Sequence, residues 1–213
     1  MVNVTSEKKR MESNCSCNGD HSHDCEIGVQ YTLYQKINRD DVECLNERED
    51  GSGVMVFKPW EERLNRDKFV ESDDDDELLF NIPFTGNVKL KGIIVVGGPD
   101  GSHPRHMKLF KNRPKMSFDE AATACDQEFE LADDQIGVVE YPIKVVKFSS
   151  VHHLTIYFSG NAANDRTRID YIGLKGEWSP AHRHGVTICT YESRPQISDH
   201  ETNLMNNVSH DIH

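Results

Sequence analysis

Val and Ile together number 30 in this 213-residue chain, against 18 for Leu and Ala combined. Branching at Cβ restricts χ1 in a helix and suits the pleated surface of a strand, so this excess pushes the chain toward β structure. The apolar residues fall in short runs bounded by Gly, Pro, Asn, Asp or Ser: Tyr31–Ile37, Glu77–Asn81, Val88–Val96, His106–Lys111, Val138–Tyr141, His152–Phe158, Ile169–Leu174 and Val186–Tyr191. Such runs read as strands, and the prolines fall between them or at their ends. Leu154, Ile156 and Phe158 alternate with His153, Thr155 and Tyr157, so one face is buried. Residues 93–96 are apolar on both faces and read as a central strand. Only Asp40–Asn46 and Ser117–Cys125 look helical, the second capped by Ser117 with Asp119 and Glu120 in its first turn. Many short strands with few helices predict an all-β fold, a β-sandwich built most simply as a jelly roll.

The runs occupy residues 29–195, which read as one domain. Residues 1–28 and 196–213 are polar and lack a hydrophobic period, so both are expected to be disordered tails. Lys and Arg total 24 against 36 Asp and Glu, a net charge of −12. That balance argues against general nucleic-acid binding and against docking on an anionic membrane surface. No apolar run reaches the ~18 residues of a spanning helix. The N-terminus has no apolar segment after its basic residues, so no secretory signal is expected. A cytoplasmic protein follows, with the nucleus as a second compartment. On that reading the six cysteines are thiols, and the Asn-x-Ser/Thr triplets at Asn3, Asn14 and Asn207 carry no glycan.

Chemistry-bearing residues are sparse. Cys15, Cys17, His21, His23 and Cys25 are candidate zinc or copper(I) ligands, although their spacing does not match a structural finger, and a tail with incidental metal affinity is the plainer reading. Gly176 followed by His182 and His184 resembles the start of a cupin metal motif but lacks the carboxylate that completes it. Glu71 to Glu77 carries six acidic side chains, reads as a solvated loop, and sets Ser72 ahead of an acidic run that suits an acid-directed kinase. Arg105, Lys108, Lys111 and Arg113 form a basic stretch that could meet an acidic partner. Trp60, beside Pro59, is either a core anchor or a binding hot spot. His210 and His213 are a further candidate contact at the chain end. No nucleophile elbow, Walker loop or dinucleotide fingerprint is present, and no cofactor is expected.

Six blocks resemble the PITH (proteasome-interacting thioredoxin) domain: Cys44–Glu47, Phe57–Arg63, Phe69–Asp73, Glu77–Gly92, Tyr171–Trp178 and Val186–Glu192. The resemblance covers about residues 29–193. It implies a galactose-binding-like jelly roll and association with the 26S proteasome, and it does not imply catalysis. Only 28 residues precede the domain, too few for a thioredoxin fold, and Cys15 and Cys17 are not a Cys-x-x-Cys pair. Redox activity is therefore not expected. The resulting expectation is a non-enzymatic protein-interaction module, with a small-ligand or metal-binding jelly roll as the alternative.

Overall fold

The computed structural model describes residues 30–161 and 166–181. Strands dominate them: β1 (Glu43–Leu45), β2 (Val70–Glu71), β3 (Leu78–Gly97), β4 (His106–Lys111), β5 (Gln127–Glu130), β6 (Glu140–Pro142), β7 (Val151–Ser159) and β8 (Arg168–Pro180). Neighbours pair antiparallel in the order β2-β8-β3-β7-β4-β5, with β1 and β6 added to β3.

The organising element is β3, whose 20 residues far exceed the usual ~5–6. Leu78 to Pro83 pairs with β7 on one side, and residues 79–81 pair with β1 on the other. Gly86 to Gly97 pairs with β8, and Gly92 to Ile94 also with β6. The β7 register shifts between Pro83 and Val88, where the strand passes from one layer to the next. Phe80 and Ile82 from the first half meet Ile93 and Val95 from the second in one buried cluster with Leu109, Ile156, Ile172 and Leu174. The helices bounded within the described residues, Ser52–Met55 and Phe118–Ala121, have four residues each and cannot cover such a face. The sheet covers itself instead. The all-β sandwich expected from the sequence is the architecture found.

Each layer also has a covered outer face. Leu79, Phe110 and Tyr157 lie under Met116 and Ala121, which follow β4. Ile94, Val96 and Tyr171 lie under Tyr31 and Trp60. These covers are irregular segments, and they account for several departures from the expected elements. Tyr31–Ile37 is no strand: Leu33–Lys36 forms a 3-10 turn. Tyr31, Leu33 and Ile37 are all buried, a spacing that a tight turn satisfies as well as alternation does. Asp40–Asn46 is no helix. A 3-10 turn at Arg39–Asp41 leads into β1, because Cys44 and Leu45 pair with Phe80 and Leu79. The second expected helix is confined to Phe118–Ala121, and Glu120 reaches back to the Ser117 N–H at 3.1 Å as a capping box.

The two runs at Glu77–Asn81 and Val88–Val96 are one strand, with Pro83 inside it. Proline has no N–H to give its partner. The Pro83 carbonyl accepts from the Asn38 N–H at 2.9 Å, so its nitrogen also faces away from β7, and the paired His153 turns its own carbonyl to the Asn112 N–H at 2.7 Å. No bond between β3 and β7 is therefore missing at this pair, and β3 runs through a residue that would ordinarily end it. Val138–Tyr141 begins two residues early, since β6 starts at Glu140. Val186–Tyr191 lies outside the described residues, as do both expected tails.

Candidate interaction surface

The segment after Ser52–Met55 is anchored twice. Phe57 enters the central core, and Trp60, 4 % exposed, enters the outer cluster. Pro59 fixes the backbone between them at φ −58° and opens a 3-10 turn over Trp60–Glu62. The Trp60 ring stacks on Tyr31 at 5.3 Å and meets the edge of Tyr171 at 6.2 Å. Its outer face carries the Arg63 guanidinium at 4.1 Å. The buried Lys58 Nζ closes the segment by donating to the carbonyls of Asn65 (2.6 Å) and Lys68 (2.9 Å). Burial pushes its pKa down, and nearby Asp170 opposes that shift.

Arg63 also reaches across to a second segment, with Nε donating to the Ile136 carbonyl at 3.2 Å. This loop is built around the buried Asp134. One carboxylate oxygen accepts from the N–H groups of Ile136 (3.0 Å) and Gly137 (2.8 Å), and the other from Val139 (2.6 Å). Burial alone would raise the Asp134 pKa, but the backbone donors outweigh it and hold the carboxyl below its ordinary value. Gly137 sits at φ +83°, a conformation that suits glycine and closes the loop.

The two joined segments turn large apolar side chains outward. Leu64 is 51 % exposed, Ile136 58 %, Val138 76 % and Val139 36 %. Only Met55 and Val146 are comparable among the described residues. Between the segments lies a cavity of about 180 Å³ lined by Tyr31, Trp60, Arg63, Gly137, Val138 and Glu140. Its polar rim is fixed, since the Tyr31 hydroxyl donates to Glu140 at 2.7 Å and Lys175 donates to both Glu140 oxygens at 2.9 and 3.0 Å. Burial and the Glu140 carboxylate both raise the Tyr31 pKa, so the phenol keeps its proton. A held loop that exposes aliphatic side chains beside a small aromatic hollow is suited to packing against another protein.

Trp60, a candidate contact from the sequence, is placed in the interior as an anchor beneath this surface. Arg105 is exposed on the approach to β4. Lys108 and Arg113 share the outer face of β4, over Tyr157 (5.6 Å) and Phe110 (5.2 Å) respectively. Lys111 turns away and donates to the Lys147 carbonyl at 2.7 Å. The basic stretch is thus divided between directions. Ser72 is fully buried, and its hydroxyl accepts the Thr167 N–H at 2.8 Å, which removes it from reach of a kinase in the folded domain. Within the acidic run, Asn46 holds Asp75 at 2.6 Å and Tyr157 donates to Glu77 at 2.6 Å, so part of the loop is tied to the sandwich. Cys15, Cys17, His21, His23, Cys25, His182, His184, His210 and His213 lie outside the described residues. Among the described residues no three His, Cys, Asp or Glu side chains are grouped to hold a metal ion, and no helix is long and apolar enough to cross a membrane. Leu64, Ile136, Val138 and Val139 were not singled out from the sequence. The available signal was Asp134-x-x-Gly137, an acceptor and a turn residue bracketing an isoleucine.

A profile of the PITH domain matches residues 23–195. The chain is 58 % identical over 193 residues to a PITH domain-containing protein of Drosophila melanogaster, covering 91 % of this chain and 92 % of that one. It is 51 % identical over 199 residues to PITH domain-containing protein 1 of Homo sapiens, covering 93 % and 94 %. A Dictyostelium discoideum protein of the same description is 41 % identical over 198 residues, covering 92 % and 98 %. Among solved structures, the paired CBM32 domains of Clostridium perfringens ZmpB in complex with GalNAc align with a TM-score of 0.49 and 8 % identity, over 75 % of this chain and 39 % of that one.

Proposed function

The chain belongs to the PITH domain family, and we propose that it is a non-catalytic protein-interaction module of the cytosol and nucleus that associates with the 26S proteasome. The observation that carries the interaction role is the apolar surface of Leu64, Ile136, Val138 and Val139. Exposing aliphatic side chains in a loop held by three backbone hydrogen bonds to one carboxylate does nothing for the fold, and it prepays the ordering that binding would otherwise cost. The proteasome as partner follows from the association that the family's name describes.

The test is a native pull-down with quantitative mass spectrometry, comparing the natural chain with Ile136→Asp and Val138→Asp. Both side chains are exposed, so each variant should keep its thermal midpoint within about two degrees, as surface substitutions shift stability little. A charge at the centre of an apolar interface should cost ~2 kcal/mol or more, roughly thirty-fold in affinity. Proteasome subunits should therefore be recovered with the natural chain and lost with both variants. Equal recovery with all three would remove this surface, and absence of proteasome subunits from the natural chain would remove the partner.

A further inference from the structure

A separate exposed apolar point lies beyond β6, in the loop of residues 143–148. Ile143 and Phe148 sit in the central core and fix its two ends. The Ile143 N–H donates to the Lys91 carbonyl at 2.9 Å, and the Leu90 N–H donates to the Phe148 carbonyl at 3.0 Å. Between these anchors the chain makes one tight turn, in which the Lys144 carbonyl accepts from the N–H groups of Lys147 (2.8 Å) and Phe148 (3.2 Å). The Lys144 N–H is itself held by the Gln127 side-chain oxygen at 2.9 Å. Val146 stands on this turn 93 % exposed, with Val145 partly buried beside it. Both ends of the turn are seated in the core, so the exposure of Val146 is a fixed property of the loop. A β-branched residue gives a turn nothing that Asn, Asp or Gly would not give better.

The charges at this loop oppose those of the whole chain. Lys144 and Lys147 flank the two valines and are exposed. Lys111, which turns away from Lys108 and Arg113, arrives from the end of β4 and donates through Nζ to the Lys147 carbonyl at 2.7 Å. Lys147 Nζ in turn donates to the Asp126 carbonyl at 2.8 Å. Asp126 is the carboxylate tied into this network, and one of its oxygens already accepts the Lys111 N–H at 3.0 Å. Three ammoniums thus stand with one carboxylate in a chain of net charge −12. Each carbonyl takes one of the three donors of its ammonium, which places the Lys111 and Lys147 charges and leaves two donors on each for a partner. The lysine stems add methylene surface beside the valines. An occupant that suits this loop has carboxylates on either side of an aliphatic side chain. A short acidic segment meets only the loop, because charges beyond ~8 Å are screened in physiological salt. A flat anionic membrane would also face the acidic body of the chain and be repelled by it.

We propose that the 143–148 loop is a second docking point, which receives an acidic protein segment with an aliphatic side chain at its centre. Val145 and Val146 take the aliphatic group, and Lys111, Lys144 and Lys147 take the flanking carboxylates. The site is independent of the surface formed by Leu64, Ile136, Val138 and Val139, and its test does not involve the proteasome.

The full chain, labelled with ¹⁵N, is titrated with the peptide acetyl-Asp-Glu-Leu-Glu-Asp-amide and followed by amide chemical shifts. Saturable shifts should appear at residues 111, 126–127 and 143–148. Val146→Ser should weaken binding roughly ten-fold through lost apolar burial. Lys144→Gln should weaken it roughly two- to five-fold, as removal of one exposed charge pair does. Both side chains are exposed, so each variant should keep its thermal midpoint within about two degrees. Lys68→Gln, in a different part of the surface, should leave binding unchanged, and the peptide with serine in place of leucine should bind more weakly. Shifts spread over all the lysines, equal loss in the Lys68 variant, or equal binding of the serine peptide would each overturn the assignment. Co-sedimentation of the full chain with phosphatidylserine vesicles, lost in Val146→Ser, would give the loop to a membrane and overturn it as well.

Discussion

Replacing Trp60 with alanine should destabilise the domain by about 4 kcal/mol. Truncating a buried Trp typically costs ~3–5 kcal/mol through lost burial and the cavity left behind. Trp60 is 4 % exposed and stacks between Tyr31 and Tyr171, so the site has little freedom to collapse. Each aromatic contact adds ~0.5–1.5 kcal/mol, and the Arg63 guanidinium adds about 0.5 kcal/mol. One effect works the other way. The indole Nε1 is buried without a partner among the described residues, and such a donor costs about 1–3 kcal/mol. Trp60→Phe keeps both ring contacts and removes that donor, so it should fall within about 1.5 kcal/mol of the natural chain despite the smaller ring. Urea unfolding followed by far-ultraviolet circular dichroism measures both, since fluorescence would then report on Trp178 alone. At ~2–4 °C per kcal/mol for a domain of this size, the alanine variant should melt roughly 8–16 °C lower. A loss below about 1.5 kcal/mol for the alanine variant would refute the anchor role. A phenylalanine variant as damaged as the alanine one would refute the cost assigned to the unpartnered Nε1.

Three further outcomes follow from the site geometry. Asp134 titrates below the ordinary 3.8 in the folded chain. It therefore stabilises the fold above that value and loses its contribution as pH falls through the lowered one; Asp134→Asn should flatten the acid limb of a stability–pH curve below about pH 4, and an unchanged limb would discount the carboxylate. Lys58→Met strands two carbonyls that its ammonium now serves and should cost roughly 2 kcal/mol in urea unfolding, whereas Lys68→Ala, which loses only the exposed 3.0 Å pair with Glu62, should cost no more than about 0.5 kcal/mol. An acid-directed kinase should phosphorylate a peptide of residues 68–80 at Ser72 but leave Ser72 of the folded chain unmodified, as read by mass spectrometry; stoichiometric modification of the folded chain would mean that β2 detaches readily.

Where the chain wrote one element as one uninterrupted pattern, the pattern sufficed. His106–Lys111 is β4 to the residue, and His152–Phe158 falls one residue short of β7 at each end. The elements that escaped are those whose existence depends on a distant partner. β1, β2 and β5 have three, two and four residues, and each pairs along a longer strand: β3, β8 and β4 respectively. A two-residue strand has no period to read. Pro83 failed as punctuation for a similar reason, because its nitrogen faces the Asn38 side of β3 and not β7, a placement set by pairing with distant segments.

The interaction surface was hidden by the same composition that made the fold legible. Val138 and Val139 are β-branched and precede Tyr141, so they extend a strand pattern toward the N-terminus. A backbone N–H in this protein needs an acceptor, and a strand partner is the usual source. Here the Val139 N–H finds the Asp134 carboxylate instead. Once that donor is satisfied locally, no neighbouring strand is required, and Val138 and Val139 are left outside the sheet with their side chains in water. Val and Ile excess therefore carries two meanings in this chain. Where the acceptor is a carbonyl across the sheet, as for β7, the side chains alternate into the core. Where the acceptor is a side chain five residues back, the same residue types become an exposed apolar surface. The choice between them is made by Asp134, one buried carboxylate whose partners cannot be read from the spacing of valines.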